Sequence, residues 1–154
     1  MSDAPRGLTP DCHVETAEGP VAMHETPNKG FAVMTRLPNG QIGFRQLIKL
    51  GRRGPVPLVR VVLDSGHAVT VASGHPFYRR GMEAVPADAL RPGDLLETAY
   101  AYPEGYVPPD LSDAPRAGAV AVVRVEPAGE GEVMGGTVRE THALFLTAGV
   151  LCGE

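Results

Sequence analysis

The sequence predicts an all-β domain, and three observations lead to that fold class. The 19 glycines and 15 prolines make up about 22 % of the 154 residues, against about 12 % in ordinary proteins. Helical bundles and coiled coils are disfavoured, because Gly and Pro cost about 1 and 3 kcal/mol inside a helix. Apolar residues reach 43 %, which is enough to build a core. They fall in short runs with turn signals about every ten residues, a pattern typical of sandwiches and barrels.

The predicted strands follow one another along the chain, separated by turn residues. They cover 12–17, 21–24, 31–37, 41–50, 58–63, 67–72, 95–100, 119–125, 132–139, 142–147 and 149–151. Asn39-Gly40 predicts a hairpin, because a type I′ turn needs positive φ at both central residues. Asp64-Ser65-Gly66 lies between the apolar runs 58–63 and 67–72 and predicts a second hairpin.

The rest of the chain adds one short helix and one long loop to this pattern. The helix is expected at 86–90, since Pro86 suits a helix start and Pro92-Gly93 ends it. The segment 101–118 contains four prolines and is interpreted as an exposed insertion loop. Neither side of the loop is long enough to fold alone. We therefore predict one domain over 1–154, with 1–6 as an N-terminal extension.

The charge balance and the apolar runs limit the partners. The formal net charge is −4, and a mildly acidic chain has no general attraction for nucleic acid or anionic membranes. The first residues contain no apolar run that would make a signal peptide. No stretch approaches the about 18 apolar residues of a membrane span. We expect a cytoplasmic monomer with no nucleic-acid or membrane partner.

Three stretches together resemble one known family. The first is VETAEGPV at 14–21, and the second is ASGHPF at 72–77 followed by ADALRPGD at 87–94. The third is VRETHALF at 138–145 followed by AGVL at 148–151. Their order, spacing and coverage of the chain are similar to those of the Hint (hedgehog/intein) family of self-splicing modules. The resemblance implies an all-β horseshoe with pseudo-two-fold symmetry and both chain ends adjacent in a central cleft.

The resemblance also implies a chemistry. In the family, a first-position Cys or Ser attacks the preceding carbonyl and turns an amide into a thioester or ester, as a strong nucleophile can. The histidine of a T-x-x-H box protonates the departing nitrogen, and a late Asp or His assists. A terminal Asn then cyclises and cuts the far end.

Two of these functional groups are retained here. The box histidine corresponds to His75, although the box threonine is replaced by Ala72. The late histidine corresponds to His142. The resemblance therefore implies a cleft with two histidines.

Three other groups are missing. The family's first residue falls nine positions before Thr16, at Gly7, which has no side chain. The late aspartate falls near Gly135, and the terminal His-Asn pair falls at Gly153-Glu154. A carboxylate does not cyclise as Asn does. We interpret the chain as a degenerate, splicing-deficient intein-like module whose cleft binds a peptide segment or a host polypeptide.

Two alternatives remain open. The first is an active self-cleaving domain that uses Cys12, or Ser73, as its nucleophile. The second is a zinc-binding module built from Cys12, Cys152 and His75, with His13 or His142, although close-paired ligand spacing is absent. Otherwise no cofactor is expected, and both cysteines are interpreted as buried, inert thiols.

Overall fold

The structure, a computed structural model, describes residues 5–25, 31–98 and 120–154, which are built almost entirely of antiparallel β-strands. The strands are β1 His13–Thr16, β2 Gly19–Ala22, β3 Phe31–Arg36, β4 Ile42–Leu63, β5 Ala68–Ala72, β6 Pro76–Arg79, β7 Glu83–Pro86, β8 Leu95–Leu96, β9 Val120–Val138, β10 Ala143–Phe145 and β11 Leu151–Gly153. The predicted all-β class is confirmed. The short helix predicted at 86–90 is a single 3₁₀ turn, Ala87–Ala89, and a second such turn covers Met23–Glu25.

Two long strands, β4 and β9, form the centre of the sheet. The prediction divided each of them in two, at 51–57 and at 126–131, and this division was wrong. The Gly- and Pro-rich segments continue as extended backbone, and the β4–β9 ladder absorbs them as four register shifts. A bulge of this kind adds a residue to one strand and bends it without ending it. Strand β4 also pairs with β3 through residues 42–47 and with β5 through residues 58–62.

Both predicted hairpins are confirmed, but the turn at 38–40 differs from the expected type I′. The loop at 38–40 has three residues, closed by Leu37 N–H donating to the Gln41 carbonyl (2.8 Å). Only Gly40 has a left-handed φ, +87°, so this turn is not type I′. The second loop is closed by Leu63 N–H donating to the His67 carbonyl (2.9 Å). In three-residue loops a single left-handed residue at the end restores the strand direction.

The described residues form one sheet in the order β10-β11-β6-β8-β9-β4-β3-β1-β2, with β5 on β4 and β7 on β6. The β6–β7 hairpin lies in a stretch for which no strand was predicted. Strand β11 inserts between β10 and β6. The segment 7–9 also enters the sheet: Leu8 exchanges main-chain hydrogen bonds with Met134 (2.9 and 2.7 Å). Both ends of the described chain are thereby held close to the loop that precedes β6.

The core is built mainly from aliphatic side chains, as a sequence without Trp requires. Its largest cluster joins Leu8, Val14, Leu47, Phe77 and their neighbours from nearly every strand. Burial of such apolar area contributes about 25 cal/mol per Å². No helix of the described residues is long and apolar enough to cross a membrane. The predicted insertion loop at 101–118, and residues 1–4 of the predicted extension, lie outside the described residues.

Candidate functional site

His75 stands in the loop between β5 and β6 and contacts the segment that enters the sheet at Gly7. The Gly7 N–H donates to His75 Nδ1 at 3.0 Å, and the Gly7 carbonyl accepts from Ala72 N–H at 3.0 Å. His75 is fully buried, and its ring meets that of Phe77 edge to face, with centroids 6.0 Å apart. The structure thus brings together Gly7 and His75, the two residues that the family pattern aligns with the nucleophile and the box histidine.

The ring of His75 is held neutral. Because Nδ1 accepts a hydrogen bond, the neutral imidazole carries its proton on Nε2. Nε2 is buried and has no hydrogen-bond partner of ordinary geometry among the described residues. The pKa of His75 is lowered to about 3, chiefly by burial and also by the charge of Arg6, while a hydrogen bond with the Gly153 main chain partly opposes both effects. A proton on Nδ1 would also break the bond from Gly7, so this histidine is a poor acceptor for a further proton.

The space beside Gly7 is closed to a side chain. Its φ is +137°, a value that L-residues with a Cβ rarely adopt. A Cβ built there would lie 2.8 Å from Val133 Cγ2 and 3.1 Å from the Met134 carbonyl oxygen. Val133 is buried on β9, so it cannot easily move away. The position that the sequence pattern aligns with the family's nucleophile is therefore shaped around glycine.

The other candidate histidine, His142, lies near Glu154. Its Nδ1 is 2.9 Å from Glu154 Oε1, and the imidazole side chain is 63 % exposed. The second carboxylate oxygen, Oε2, accepts from Val138 N–H at 2.5 Å. His142 has a left-handed φ of +55° and immediately precedes strand β10. The described structure therefore divides the two histidines between two environments, one buried on Gly7 and one exposed on Glu154.

Gly153 is also closed to a side chain. A Cβ there would lie 2.5 Å from Pro76 Cγ and 3.2 Å from an Nη atom of Arg6. Gly153 is buried in β11, and a larger residue would separate β11 from the loop that carries His75. A histidine, the residue that the sequence pattern aligns with this position, would have no room here. Gly135, near the position of the late aspartate, is half-buried, and a Cβ there would meet only the Arg53 guanidinium, at 3.8 Å.

Both cysteines lie in the main core and neither is in a disulfide. Burial raises the pKa of Cys12 to about 12. Burial also raises the pKa of Cys152 well above its usual value, and the charge of Cys12 adds to this effect. Since the thiolate is the nucleophile and the metal ligand, these thiols are unreactive at neutral pH.

We expect Cys12 to react with Ellman's reagent on the order of 1,000-fold more slowly than a free cysteine, and Cys152 also to react much more slowly, because so little thiolate is present. The reaction is followed at pH 8 by absorbance, and the protein unfolded in guanidinium serves as the fully reactive reference. A fast phase of one equivalent in the native protein would contradict the burial of the thiols. The single variants Cys12→Ser and Cys152→Ser would then identify the exposed one.

The described residues do not form a site for either the zinc or the serine alternative. No group of three or more His, Cys, Asp or Glu side chains that could hold a metal ion occurs among residues 5–25, 31–98 and 120–154. His13, on β1, is exposed. Ser73 is half-buried, and its main chain bonds to Pro57 (3.0 Å) and Asp88 (2.9 Å).

Three residues that shape the site were not singled out from the sequence. Val133, Pro76 and Arg6 fill the space beside Gly7 and Gly153. Val133 and Pro76 are ordinary apolar residues in their local context, and they meet the glycines only after the sheet closes. The Pro after the box histidine was visible as part of the motif, but its contact with β11 was not.

With the geometry described, the chain can be compared with known proteins. No protein-family model matches it, and no curated protein matches it. Among solved structures it is similar to an intein-like domain from Clostridium thermocellum, with 18 % identity, 97 % of this chain and 99 % of that chain covered, and a TM-score of 0.78. It is similar to the DnaB intein from Synechocystis sp. PCC 6803, with 14 % identity, 97 % and 98 % covered, and a TM-score of 0.74. It is also similar to the DnaX mini intein from Spirulina platensis, with 13 % identity, 96 % of this chain and 98 % of that chain covered, and a TM-score of 0.74. The resemblance to intein-like domains is confirmed at the level of the fold: this chain has the Hint fold.

Proposed function

We propose that this chain, which has the fold of intein-like domains, is a splicing-deficient member of that fold. In place of a reaction centre it has a closed junction, formed by Gly7 against His75 with Val133 filling the space beside Gly7. The observation that carries the proposal is the contact of Gly7 with His75 Nδ1 (3.0 Å). The hydrogen bond holds the chain where a reacting peptide bond would lie. The residue held there has no nucleophile.

The first chemical step fails for lack of an attacking atom. An acyl shift needs a side-chain oxygen or sulfur on residue 7 to attack the carbonyl of residue 6. Glycine offers none, and Val133 occupies the space that a side chain would need. His75 would have to protonate a departing nitrogen, but its pKa of about 3 leaves the ring neutral at pH 7. Both the nucleophile and a ready acid are therefore absent at this junction.

The second step fails at Glu154. In splicing, a side-chain amide attacks the main chain and forms a cyclic imide. Glu154 has a carboxylate instead, and its two oxygens are engaged by His142 and Val138 N–H (2.9 and 2.5 Å). A carboxylate at neutral pH is a weak nucleophile, and these hydrogen bonds stabilise it further. The arrangement favours a stable contact between β11 and the end of β9.

The alternative nucleophile, Cys12, is poorly suited to attack. With a pKa of about 12, about one thiol in 100,000 is ionised at pH 7. The side chain is buried in the main core, so a substrate carbonyl would have to displace apolar neighbours. Two thiols without a disulfide are in keeping with the reducing cytoplasm that we propose for this chain.

Intact-mass spectrometry tests the proposal on the full chain. The protein is incubated overnight at pH 7.5 with a thiol or with hydroxylamine, which would cleave a thioester or ester before residue 7. We expect a single species of unchanged mass. A splicing-competent intein treated in parallel is the positive control, and a product lacking residues 1–6 would refute the proposal.

The variant Gly7→Cys sharpens this test, because it supplies the missing nucleophile. We expect no cleavage from it, since the added Cβ would lie 2.8 Å from Val133 Cγ2. Gly7→Ala is the matched control, with the same backbone strain and no thiol. If Gly7→Cys cleaved and Gly7→Ala did not, the nucleophile alone would be missing and the closed junction would be wrong.

The role that we propose for the module is binding of a peptide segment or a host polypeptide. His75 has no exposed surface, so a partner would not reach it in the closed junction. A partner would bind instead at a surface cleft beside the junction. This role is independent of whether the chain retains any cleavage.

A further inference from the structure

The outer edge of β5 is paired over only part of its length. Segment 7–9 runs along it, with Ala72 N–H donating to the Gly7 carbonyl (3.0 Å) and Thr9 N–H reaching the Thr70 carbonyl only at 3.5 Å. The chain then turns away, because Cys12 N–H donates to the Thr9 carbonyl (2.9 Å). No described residue continues the ladder beyond Thr70. Within the described part of the chain, the first half of β5 is therefore an open strand edge.

The register of the β4–β5 hairpin shows which main-chain groups face this edge. Leu63 N–H donates to the His67 carbonyl, so His67 belongs to the residues that bond toward β4. Main-chain groups alternate in direction along a strand. Ala68 is paired with Val62 and, like Ala72, directs its N–H and carbonyl away from β4. Among the described residues these Ala68 groups have no hydrogen-bond partner on that side.

A cleft of about 320 Å³ lies along the same edge. Its floor is apolar and includes Val69, Ala148 and Cys12. Its rim is polar, and Asp11 is its one side chain with a formal charge at neutral pH, taking histidine as neutral. The Asp11 side chain is 96 % exposed, and its Oδ1 lies 3.6 Å from His24 Nε2. The cleft thus combines free strand-pairing groups, an apolar floor and a negative rim.

We propose that this cleft binds an extended peptide segment as an added strand on β5, with a basic side chain directed at Asp11. Strand addition uses main-chain hydrogen bonds for affinity and alternate side chains for selectivity. The added strand would bond to Ala68 and would continue the line of segment 7–9 along the same edge. The proposal specifies the surface for the binding role above, and it does not depend on the loss of splicing.

The test uses the full chain, labelled with ¹⁵N, and an acetylated and amidated hexapeptide of alternating threonine and valine with one central lysine. At millimolar peptide we expect amide shifts at Ala68, Thr70 and residues 11–13. The same peptide with N-methylated central residues is the matched control, because it lacks the main-chain donors. We expect it to cause no shifts at these positions.

Two variants of the protein address the two parts of the proposal. Ala68→Pro removes the edge N–H and adds bulk there, and should abolish the shifts at Thr70. Proline is tolerated at an edge because no internal bond is lost. Asp11→Asn should weaken binding of the lysine peptide about two- to fivefold and leave a norleucine peptide unchanged.

Three results would overturn the proposal. The first is that the Ala68 and Thr70 amide signals do not shift at millimolar peptide. The second is that the N-methylated peptide binds as well as the unmodified one, a comparison made on the wild-type protein, so that it does not depend on any variant being folded. The third is a set of shifts centred on a different cleft, which is lined by residues that include Arg36, Met82 and Glu140. These results concern peptide binding, whereas the loss of splicing is tested by a mass change before Gly7. Either proposal can therefore fail without the other.

Discussion

Replacement of Gly7 by alanine is expected to lower the free energy of unfolding by about 3 kcal/mol. Two effects add. A residue with a Cβ is strained at φ +137°, and the Cβ would be forced against Val133 at 2.8 Å. Overpacking of a filled core costs about 1–3 kcal/mol. Leu8 follows directly and exchanges two main-chain bonds with Met134, so segment 7–9 cannot move aside without losing them.

The measurement is the urea midpoint of the variant, with Gly66→Ala as the matched control. Gly66 also has a left-handed φ, +90°, but a Cβ there meets nothing within 4 Å. The control isolates backbone strain, which costs about 1 kcal/mol. Equal midpoints for the two variants would mean that Val133 does not close the junction.

Mild acid is expected to destabilise the protein through His75. The pKa of this ring is lowered from 6.5 to about 3 in the folded protein, chiefly by burial. Between these values the unfolded chain binds a proton that the folded chain excludes. Stability is therefore complete above pH 6.5 and falls as the pH is lowered toward 3. The slope approaches about 1.4 kcal/mol per pH unit, so roughly 2 kcal/mol is lost between pH 6.5 and 5.

Urea unfolding at intervals between pH 7.5 and 5 measures this dependence. The variant His75→Gln keeps a polar side chain of similar size and cannot titrate, so its profile is the reference. We expect the wild-type curve to be the steeper of the two across this window. Parallel curves would show that His75 is not the buried neutral base described above.

The sequence was sufficient for the fold class, and it singled out two residues that the fold brings together. Short apolar runs indicated β-strands, and motif spacing aligned Gly7 with the nucleophile and His75 with the box histidine. In the structure these two residues are in contact. The continuity of β4 and β9 could not be predicted in the same way. Gly54-Pro55 and its neighbours have the composition of a turn, and only the paired strand reveals that they form bulges.

The closure of the junction was also beyond the sequence. The motif spacing aligns Gly7 with the family's nucleophile, but the sequence does not show whether space for a side chain remains there. In the structure, Val133 fills the space beside Gly7 and Pro76 fills the space beside Gly153, and each comes from a distant part of the chain. The edge of β5 was hidden for a related reason. Its open groups depend on where segment 7–9 turns away, which is a property of the packed sheet.

The position of β11 between β10 and β6 has a consequence for how the protein folds. Its neighbours on the two sides are β10, which immediately precedes it, and β6, which lies far back in the sequence. The sheet is therefore incomplete until residues 151–153 insert. Together with the long β4–β9 pairing, this gives the chain a high contact order, for which folding times of milliseconds to seconds are typical. Until that insertion, two strand edges beside Phe77 and Leu144 remain open to pairing with other chains.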